Sequence, residues 1–410
     1  MKKLSSNLIY IGFLLFAATV SWTMSGQAAG IVIALLGWII GIFAYRRFTL
    51  EKEKTSWFKI ILAGFIIIFI LSSIFSVNVY KSFTRTFYLL GEIGVFFAVL
   101  SYDWKKRNIS VLFKILTVFA VVESLYGIIQ YLTGTTILNY GDTTKHILGM
   151  FSNHDVIRRA FGTWDHPNSL GGILAMLIPI TFFIGIISKG KKEKLFYLVS
   201  TSVMALGLMF TQTRGGWIGL IVSLLVLIIY KRKNLIFIPL AAVIIILVVP
   251  STRSRIMNTF NFGLETERIS MWRVAVDEIR QNPVLGTGPE TFSDVFYNEL
   301  LQKKMDTGLF QKRMHFHYHN TYLGLSAESG IFSIIIFLIF VGSILVFGFK
   351  GLHSVENKFM QSVLLGCIGT VIDFMVHGFV DYNLRGNTVY FFWFACGMIV
   401  FIASKRLVND

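Results

Sequence analysis

The chain has 410 residues, of which 54% are hydrophobic and only 15% charged, and its mean hydropathy is +0.67. These charged residues are too few to cover the surface of a soluble globular protein of this size. The composition therefore excludes a soluble protein and predicts a polytopic membrane protein. The net charge of +16 is high enough for a nucleic-acid-binding protein. The basic residues lie mostly in short connectors between apolar runs, however, and we expect no nucleic-acid partner.

Apolar runs of about 17 to 25 residues, each able to cross a bilayer as a helix, occur about twelve times. The predicted spans are 8–24, 28–45, 58–76, 84–102, 109–132, 169–188, 195–212, 215–230, 235–250, 321–349, 359–380 and 388–404. The predicted fold is an all-α polytopic membrane protein with a large helical extracytoplasmic loop. Its parts are membrane helices over 1–132, an outer loop over 133–168, central helices over 169–250, the large loop over 251–320 and C-terminal helices over 321–410.

Lysines and arginines collect in alternate connectors. The clusters lie at 2–3, 46–54, 105–107, 189–194, 231–233, 350–358 and 405–406. An even number of spans places all of them on one face, which the positive-inside rule makes cytoplasmic. We therefore expect a multi-pass cell-membrane protein with both termini in the cytoplasm and two long loops outside. The first span should be retained as an anchor, because a second span follows almost at once.

The large loop has one clear internal pattern. Residues 268–279 read RISMWRVAVDEI, and apolar residues recur there at helical spacing, namely Ile269, Trp272, Val276 and Ile279. A short amphipathic helix is predicted, ending near Pro283. The GTGP turn at 286–289 can present backbone N–H groups to an anion, although a plain loop is favoured.

The connector between the seventh and eighth spans reads TQTRGGW and places Arg214 on the face opposite the lysine clusters. The simplest interpretation is an arginine that reaches lipid phosphates. Arg214 breaks the charge rule, however, and Gly215 and Gly216 would allow a bulky partner to approach closely. These two features favour a functional arginine.

Three histidines, His315, His317 and His319, stand at alternate positions just before the tenth span. Histidine titrates near neutrality, so the group can contain a general base or a metal ligand. The alternative is an interfacial aromatic belt with incidental histidines. Alternate spacing does not supply a closed zinc ligand set, and the cysteines Cys367 and Cys396 lie inside apolar spans. We expect no metal and no cofactor.

Three segments follow one another around the large loop: TQTRGGW, the pair RISMW and GTGPETF, and HNTYLGLSAESG. GTWDHPNSLGG also precedes a membrane helix. Through these segments the chain from about Gly162 onward resembles the bacterial O-antigen ligase and polymerase family, whereas the N-terminal half matches only in hydropathy. The resemblance implies a membrane glycosyltransferase that acts outside the cytoplasmic membrane on undecaprenyl diphosphate glycans.

The resemblance also implies site residues. His319 falls on the catalytic histidine, and Arg214 and Arg268 fall on the diphosphate-binding arginines, with Arg273 as a second candidate. His317 is expected to assist, and His315 to lie at the surface. Further substrate contacts are expected at His166, Asn168, Asn320 and Glu328. Asp381 and Arg385, in the last outer connector, are candidate acceptor contacts, and the alternative is a solvated loop. We expect Glu328 to hold an arginine or the histidine segment, because a carboxylate inside a membrane needs a partner.

The chemistry of the donor supports these roles. Nucleotide sugars are cytoplasmic, so an outward-facing transferase needs a donor that is already activated on a lipid. Guanidinium groups pair bidentately with phosphate and stabilise a leaving diphosphate. His319 would then deprotonate an acceptor hydroxyl, and direct attack predicts inversion at the anomeric carbon. The expected partners are this donor, a glycan or lipid-linked acceptor, membrane lipids, a flippase and a chain-length regulator.

The residues leave alternatives open. Ligation to lipid A core, polymerisation of repeat units and attachment to protein hydroxyls share one donor and differ in acceptor. Ionisable groups inside the spans, Glu92, Glu123, Asp373 and His377, also fit a polysaccharide flippase or an ion-coupled transporter. For Asp373 and His377, four residues apart, a structural hydrogen-bonded pair is favoured. A noncatalytic scaffold is the third possibility.

Overall fold

Helices account for the regular secondary structure of the chain wherever it is described. The computed structural model describes residues 1–45, 56–134, 159–231, 233–257, 266–296 and 317–404, and no β-strand occurs in these ranges. In a bilayer an α-helix satisfies its backbone hydrogen bonds within one segment, so apolar runs of this length fold as helices. The predicted all-α polytopic fold is confirmed.

The helices are numbered in chain order. They are α1 (Lys2–Thr19), α2 (Met24–Tyr45), α3 (Ser56–Ile74), α4 (Val79–Leu100), α5 (Lys106–Thr133), α6 (Pro167–Ile187), α7 (Lys191–Thr211), α8 (Arg214–Lys231), α9 (Phe237–Val248), α10 (Pro250–Met257), α11 (Thr266–Gln281), α12 (Thr321–Ser329), α13 (Ile331–Leu352), α14 (Lys358–His377) and α15 (Asn387–Ala403). Among the described residues, nine helices are long and apolar enough to cross a membrane, namely α2 to α8, α13 and α14. Shorter apolar helices cover Lys233–Val248 and Asn387–Ala403. The predicted count of twelve spans is therefore not confirmed.

The connectors gather at two ends of the helix bundle, because successive long helices run in opposite directions. One end, here called the motif end, contains the connectors 20–23, 212–213 and 378–386 together with residues 159–166. There the Trp164 indole N–H donates to the Ser21 carbonyl at 2.6 Å. The opposite end, here called the lysine end, carries the basic clusters at 2–3, 105–107, 189–194 and 350–358 within the part of the chain that the structure describes.

Three helices are enclosed by the rest: α15, in which every residue except Tyr390 is buried, and the pair α6 and α14. Within the most apolar 18 residues of each helix, 89% are buried in α6 and 78% in α14, against 28% in α2. The two pack against each other, and Gly366 lets the backbone of α14 reach that of α6 at Ile180. The start of α6 and the end of α14 consequently lie in the middle of the motif end.

The predicted span 321–349 is wrong as a single helix. It divides at Gly330 into the short α12 and the long α13. Gly330 has φ +79°, and a Cβ there would overlap the Val284 carbonyl. The Ile331 N–H donates to the Pro283 carbonyl at 2.8 Å, so the large loop is attached at the division. Ser326, Glu328 and Ser329 interrupt the apolar pattern before this corner, and the predicted span was extended across them.

The predicted amphipathic helix is present as α11, but its buried face is shifted from the prediction. Met271, Val274 and Ala275 are buried with Phe292 and Tyr318 in a small second core. The apolar residues that the spacing selected are only half-buried, as listed here: Ile269, Trp272, Val276 and Ile279. Trp272 also donates through its indole N–H to the Tyr318 carbonyl at 2.9 Å. Helix α11 thus fixes the segment that carries the histidines.

We expect Gly330→Ala to lower the melting temperature of the purified protein in detergent. A side chain at φ +79° is strained, and its Cβ would also overlap the Val284 carbonyl, so the expected cost is about 1 to 3 kcal/mol. Gly342→Ala is the matched control, because a Cβ at Gly342 in α13 meets nothing within 4 Å. Equal melting temperatures for the two variants would contradict the strained corner.

Candidate active site

The Asp381 carboxylate lies at the centre of the motif end, in the connector between α14 and α15. Its Oδ1 lies 3.3 Å from His319 Nδ1 and 3.6 Å from His317 Nε2. Oδ2 accepts a hydrogen bond from the Asn168 amide at 3.2 Å, and the Tyr382 backbone N–H donates to Oδ1 at 2.9 Å. The sequence offered Asp381 only as a candidate acceptor contact, with a solvated loop as the alternative. The structure makes it the group that joins three separate segments.

Backbone hydrogen bonds hold the histidine segment against this connector. The Thr321 N–H donates to the Gly378 carbonyl at 2.7 Å, and Thr321 Oγ1 donates to the Asp381 carbonyl at 3.1 Å. Asn320 caps α12 through Oδ1 and donates from Nδ2 to the Phe379 carbonyl at 3.0 Å. Asn320, a predicted substrate contact, therefore positions its neighbour His319.

The protonation states follow from burial and hydrogen bonding. Burial acts to raise the pKa of Asp381, but its two histidine neighbours hold that pKa well below the usual range. Burial lowers the pKa of His319, which the bond to Asp381 only partly offsets. A carboxylate can only accept, so His319 Nδ1 carries the proton of this bond. The neutral ring then has its lone pair on Nε2, as a general base requires.

Three non-glycine residues in the described part of the chain have a left-handed backbone: Gln212 with φ 54°, Glu290 with φ 68° and His319 with φ 46°. Each lies in a different one of the three segments that carry the family resemblance. Such conformations cost on the order of 1 to 3 kcal/mol each and persist where the surrounding structure enforces them. Their positions mark the same region as the hydrogen bonds to Asp381.

A cavity of about 370 Å³, here called the arginine cavity, opens beside Asp381. Its polar end is lined by Arg159, Arg214 and Arg268. Its opposite wall is apolar and comes from α8 and α9, through Trp217, Ile218, Ile221, Val222, Val243, Ile246 and Leu247. The cavity therefore offers cationic groups next to a hydrocarbon-like surface.

A second cavity of about 520 Å³, here called the polar cavity, lies on the other side of Asp381. His317 and His319 line it together with polar and aromatic groups from the loop before α6, the start of α6, the connector before α15 and the start of α15. These residues are Trp164, His166, Ser169, Tyr382, Asn383, Arg385, Asn387 and Thr388. The two cavities share Asn168, His377 and Asp381 as lining residues. Each cavity thus touches the same carboxylate from a different side.

Arg159 is a site residue that sequence reasoning missed. Its Nε donates to the Thr211 carbonyl and its Nη2 to Asn168 Oδ1, both at 2.8 Å. Asn168 in turn donates to Asp381, so one chain of hydrogen bonds joins the arginine cavity to the histidines. Arg159 lies in a loop whose length exempts it from the charge rule, and nothing nearby in the sequence distinguished it from Arg158.

The paired glycines after Arg214 do admit a bulky partner, as predicted, and that partner is His377. A Cβ on Gly215 would overlap the His377 ring. His377 Nε2 lies 4.0 Å from Asp381 Oδ2, and no hydrogen bond joins it to Asp373. The predicted Asp373–His377 pair is therefore wrong. The Asp373 carboxylate is buried against Gly219 of α8 instead.

Glu328 has the arginine partner that a membrane carboxylate requires. Its Oε1 lies 2.8 Å from Arg385 Nη2, and the Tyr382 hydroxyl donates to its Oε2 at 3.0 Å. Arg385 Nη1 also lies 2.9 Å from Glu290 Oε1 in the GTGPETF segment. Arg385 and Glu328, both predicted substrate contacts, thus brace the wall of the polar cavity, which Arg385 lines.

The GTGP turn is engaged by the protein itself. The Thr287 and Gly288 N–H groups donate to the carbonyls of Ala327 and Glu328 at 3.0 and 2.9 Å. The turn therefore anchors the end of α12, which agrees with the plain loop that was favoured over an anion site. Two further embedded carboxylates are also bonded: Glu92 to Arg85 at 3.0 Å and Glu123 to the Thr163 N–H at 2.6 Å.

The remaining predicted residues divide between the site and its surroundings. His166 caps the start of α6, its Nδ1 accepting from the Asn168 N–H at 3.1 Å, and it lines the polar cavity. Arg273 is exposed on α11, whereas Arg268 on the same helix lines the arginine cavity. His315 lies outside the described residues.

The chain is similar to known proteins over part of its length. Residues 199–338 match the family model of the O-antigen ligase. A Haemophilus influenzae protein, named only as an uncharacterized protein, is 24% identical over 250 residues, which are 55% of this chain and 61% of that protein. A Rickettsia conorii protein named "Putative polysaccharide ligase" is 25% identical over 143 residues, which are 35% of this chain and 32% of that protein. The chain thus matches less than two thirds of either relative.

These matches support the resemblance to the O-antigen ligase family that the sequence segments indicated. The matched range contains TQTRGGW, helix α11 and the histidine segment. Asn168 and Asp381 lie outside that range, on either side of it.

Arg385→Met should destabilise the protein strongly, because Glu290 and Glu328 would lose their shared cation. Removing one partner of a buried ion pair typically costs about 3 to 5 kcal/mol. The measurement is the melting temperature in detergent, and a second change, Glu328→Gln, should restore part of the loss. Arg280→Met is the control, because its pair with Asp277 is exposed and such pairs contribute roughly 0 to 1 kcal/mol. A similar, small effect of both single variants would contradict the bracing role.

Proposed function

We propose that this chain, whose residues 199–338 match the family model of the O-antigen ligase, is a membrane glycosyltransferase. It transfers or polymerises glycan from an undecaprenyl diphosphate donor onto a sugar hydroxyl at the outer face of the cytoplasmic membrane. One observation carries the proposal: an arginine-lined cavity and a histidine-lined polar cavity share the Asp381 carboxylate. A transferase needs two such sites with one reacting centre between them.

The arginine cavity suits a lipid diphosphate. Arg159, Arg214 and Arg268 offer guanidinium groups, which pair bidentately with phosphate oxygens. The apolar wall between α8 and α9 suits the attached isoprenoid chain. A sugar on such a carrier arrives already activated, because diphosphate is a good leaving group. The arginines stabilise the charge that develops on it, so neither a divalent metal nor a general acid is required.

The polar cavity suits the acceptor. His319 Nε2 takes the proton from the acceptor hydroxyl, and the hydroxyl oxygen attacks the anomeric carbon. The bond from that carbon to the diphosphate oxygen breaks, and the electron pair leaves with the diphosphate. Asp381 holds the ring through Nδ1 and stabilises the imidazolium that forms, as in other histidine–carboxylate pairs. Direct attack inverts the anomeric centre.

The charge pattern supports an outward-facing site. The basic clusters collect at the lysine end, which the positive-inside rule assigns to the cytoplasm together with both termini. The motif end then faces outside, where the lipid-linked donor is available. A flippase that delivers the donor and a regulator of chain length are the partners this location implies.

The transporter alternative has less support. A transporter places its ionisable groups around a substrate site near the middle of the membrane. In this protein, the residues of the three family segments lie at the motif end of the helix bundle. Glu92 and Glu123, which suggested that alternative, are bonded to Arg85 and to the loop before α6. A purified protein that transfers glycan in detergent, without a membrane barrier, would exclude transport as its sole activity.

The acceptor distinguishes ligase from polymerase. The decisive assay supplies one labelled lipid-linked donor together with either a second lipid-linked repeat unit or a lipid A core. Extension of the repeat unit identifies a polymerase, and labelling of the core identifies a ligase.

His319→Ala should leave the protein folded and lower transfer by about 10² to 10⁴-fold, the usual contribution of a general base. The measurement is the transfer rate of purified protein with a labelled lipid-linked donor, with the melting temperature recorded in parallel. His353→Ala at the lysine end is the matched control and should keep its rate. Substantial transfer by His319→Ala would remove the proposed base.

Arg214→Lys should slow transfer by about tenfold or more, although the charge is kept, because one charge-assisted hydrogen bond is worth roughly 1.5 to 3 kcal/mol. Arg268→Lys should behave similarly, since both arginines line the same cavity. Arg273→Lys is the control, as Arg273 is exposed on α11. If Arg273→Lys is slow while Arg268→Lys is normal, the assignment of these arginines is wrong.

A further inference from the structure

We propose that His317, His319 and Asp381 also form a binding site for Zn²⁺, and that zinc bound there inhibits the protein. The three ligand atoms, one nitrogen from each ring and one carboxylate oxygen, all lie within 4.8 Å of one another. They belong to two segments that are held together by the hydrogen bonds of Thr321. The ligand set is therefore assembled before any ion arrives.

The separations fit a tetrahedral ion. Zinc binds imidazole nitrogen and carboxylate oxygen at about 2.0 to 2.2 Å, so two ligands of one tetrahedral ion lie roughly 3.3 to 3.6 Å apart. The observed separations from Asp381 Oδ1 are 3.3 Å to His319 Nδ1 and 3.6 Å to His317 Nε2. An ion can thus enter with small movements of the side chains.

The surroundings also suit zinc. Two imidazoles and one carboxylate form a mixed nitrogen and oxygen set, which zinc accepts more readily than magnesium or calcium does. The Asn168 amide and the Tyr382 N–H orient the carboxylate, as neighbours of metal ligands commonly do. The histidines line the polar cavity, so a water molecule can take the fourth position.

Inhibition follows from the two nitrogens of His319, and this step rests on the proposed function. A zinc ion on Nδ1 replaces the hydrogen bond from Nδ1 to Asp381. The proton of the neutral ring then resides on Nε2, and no net proton needs to leave. A ring with metal on one nitrogen and hydrogen on the other has no lone pair for the acceptor hydroxyl. Zinc would therefore block the base while the fold stays intact.

The first test measures zinc binding by calorimetry on full-length, chelator-treated protein in detergent. We expect one ion per chain, with affinity lowered about tenfold or more in His317→Gln and in Asp381→Asn. If Asp381→Asn does not fold, His317→Gln still decides. His353→Gln is the matched control, because His353 lies at the lysine end with its ring bonded to Tyr230. No binding by the wild type, or unchanged affinity in His317→Gln, would overturn the site.

The second test measures transfer. Metal-free protein in excess EDTA should retain its rate, added Zn²⁺ should slow it, and chelation should restore it. Zinc that binds without slowing transfer would overturn the inhibition. Transfer that requires added zinc would overturn it as well and would make the histidines catalytic ligands. If no transfer is found under any condition, the proposed function fails, while the binding measurement still tests the site.

Discussion

The site depends on one buried carboxylate. Asp381 joins the start of α6, the segment before α12 and the connector between α14 and α15, through Asn168, His319 and the Tyr382 backbone N–H. A carboxylate that is mostly withdrawn from water is stable only when its oxygens are engaged by donors. The hydrogen bond that stabilises Asp381 therefore also fixes the His319 ring and its tautomer. Through Asn168, the same carboxylate connects His319 to Arg159.

The membrane sets the second constraint, because every embedded charge needs a partner. Arg385 lies between Glu290 and Glu328, and Arg85 pairs with Glu92 while donating to the Leu384 carbonyl at 2.7 Å. Both arginines thereby hold the connector that carries Asp381. Replacing such ion pairs by apolar residues can leave the stability unchanged. Their role here is therefore to fix the position of the connector rather than to add stability. They fix the position of the short connector at the motif end, and with it the Asp381 carboxylate.

The local sequence pattern was sufficient to predict the helical fold, but it was insufficient to predict how the site is assembled. Apolar runs and alternating basic connectors predicted the helical fold, and Arg214 was identifiable because it broke the charge rule. The corner at Gly330 was missed because the predicted span was extended across the polar residues Ser326, Glu328 and Ser329, and a left-handed glycine leaves no periodic signal. Arg159 was missed, and Asp381 was not recognised as the residue that joins the segments, because both findings arise from tertiary contacts between segments far apart in sequence. The buried face of α11 was displaced for the same reason, since Phe292 and Tyr318 determine which side of the helix is covered.

The two cavities explain why the residues of the site are spread over so much of the chain. Under the proposed function, a lipid-linked donor would enter from the side of the bundle, where α9 exposes apolar residues such as Leu240 and Ile244. A sugar acceptor would instead come from water. Arg214 and Arg268 accordingly lie on α8 and α11, whereas the histidines lie before α12. His377 lines both cavities and packs on Gly215, the residue after Arg214. The packing of α14 on α8 therefore sets the spacing between the two cavities.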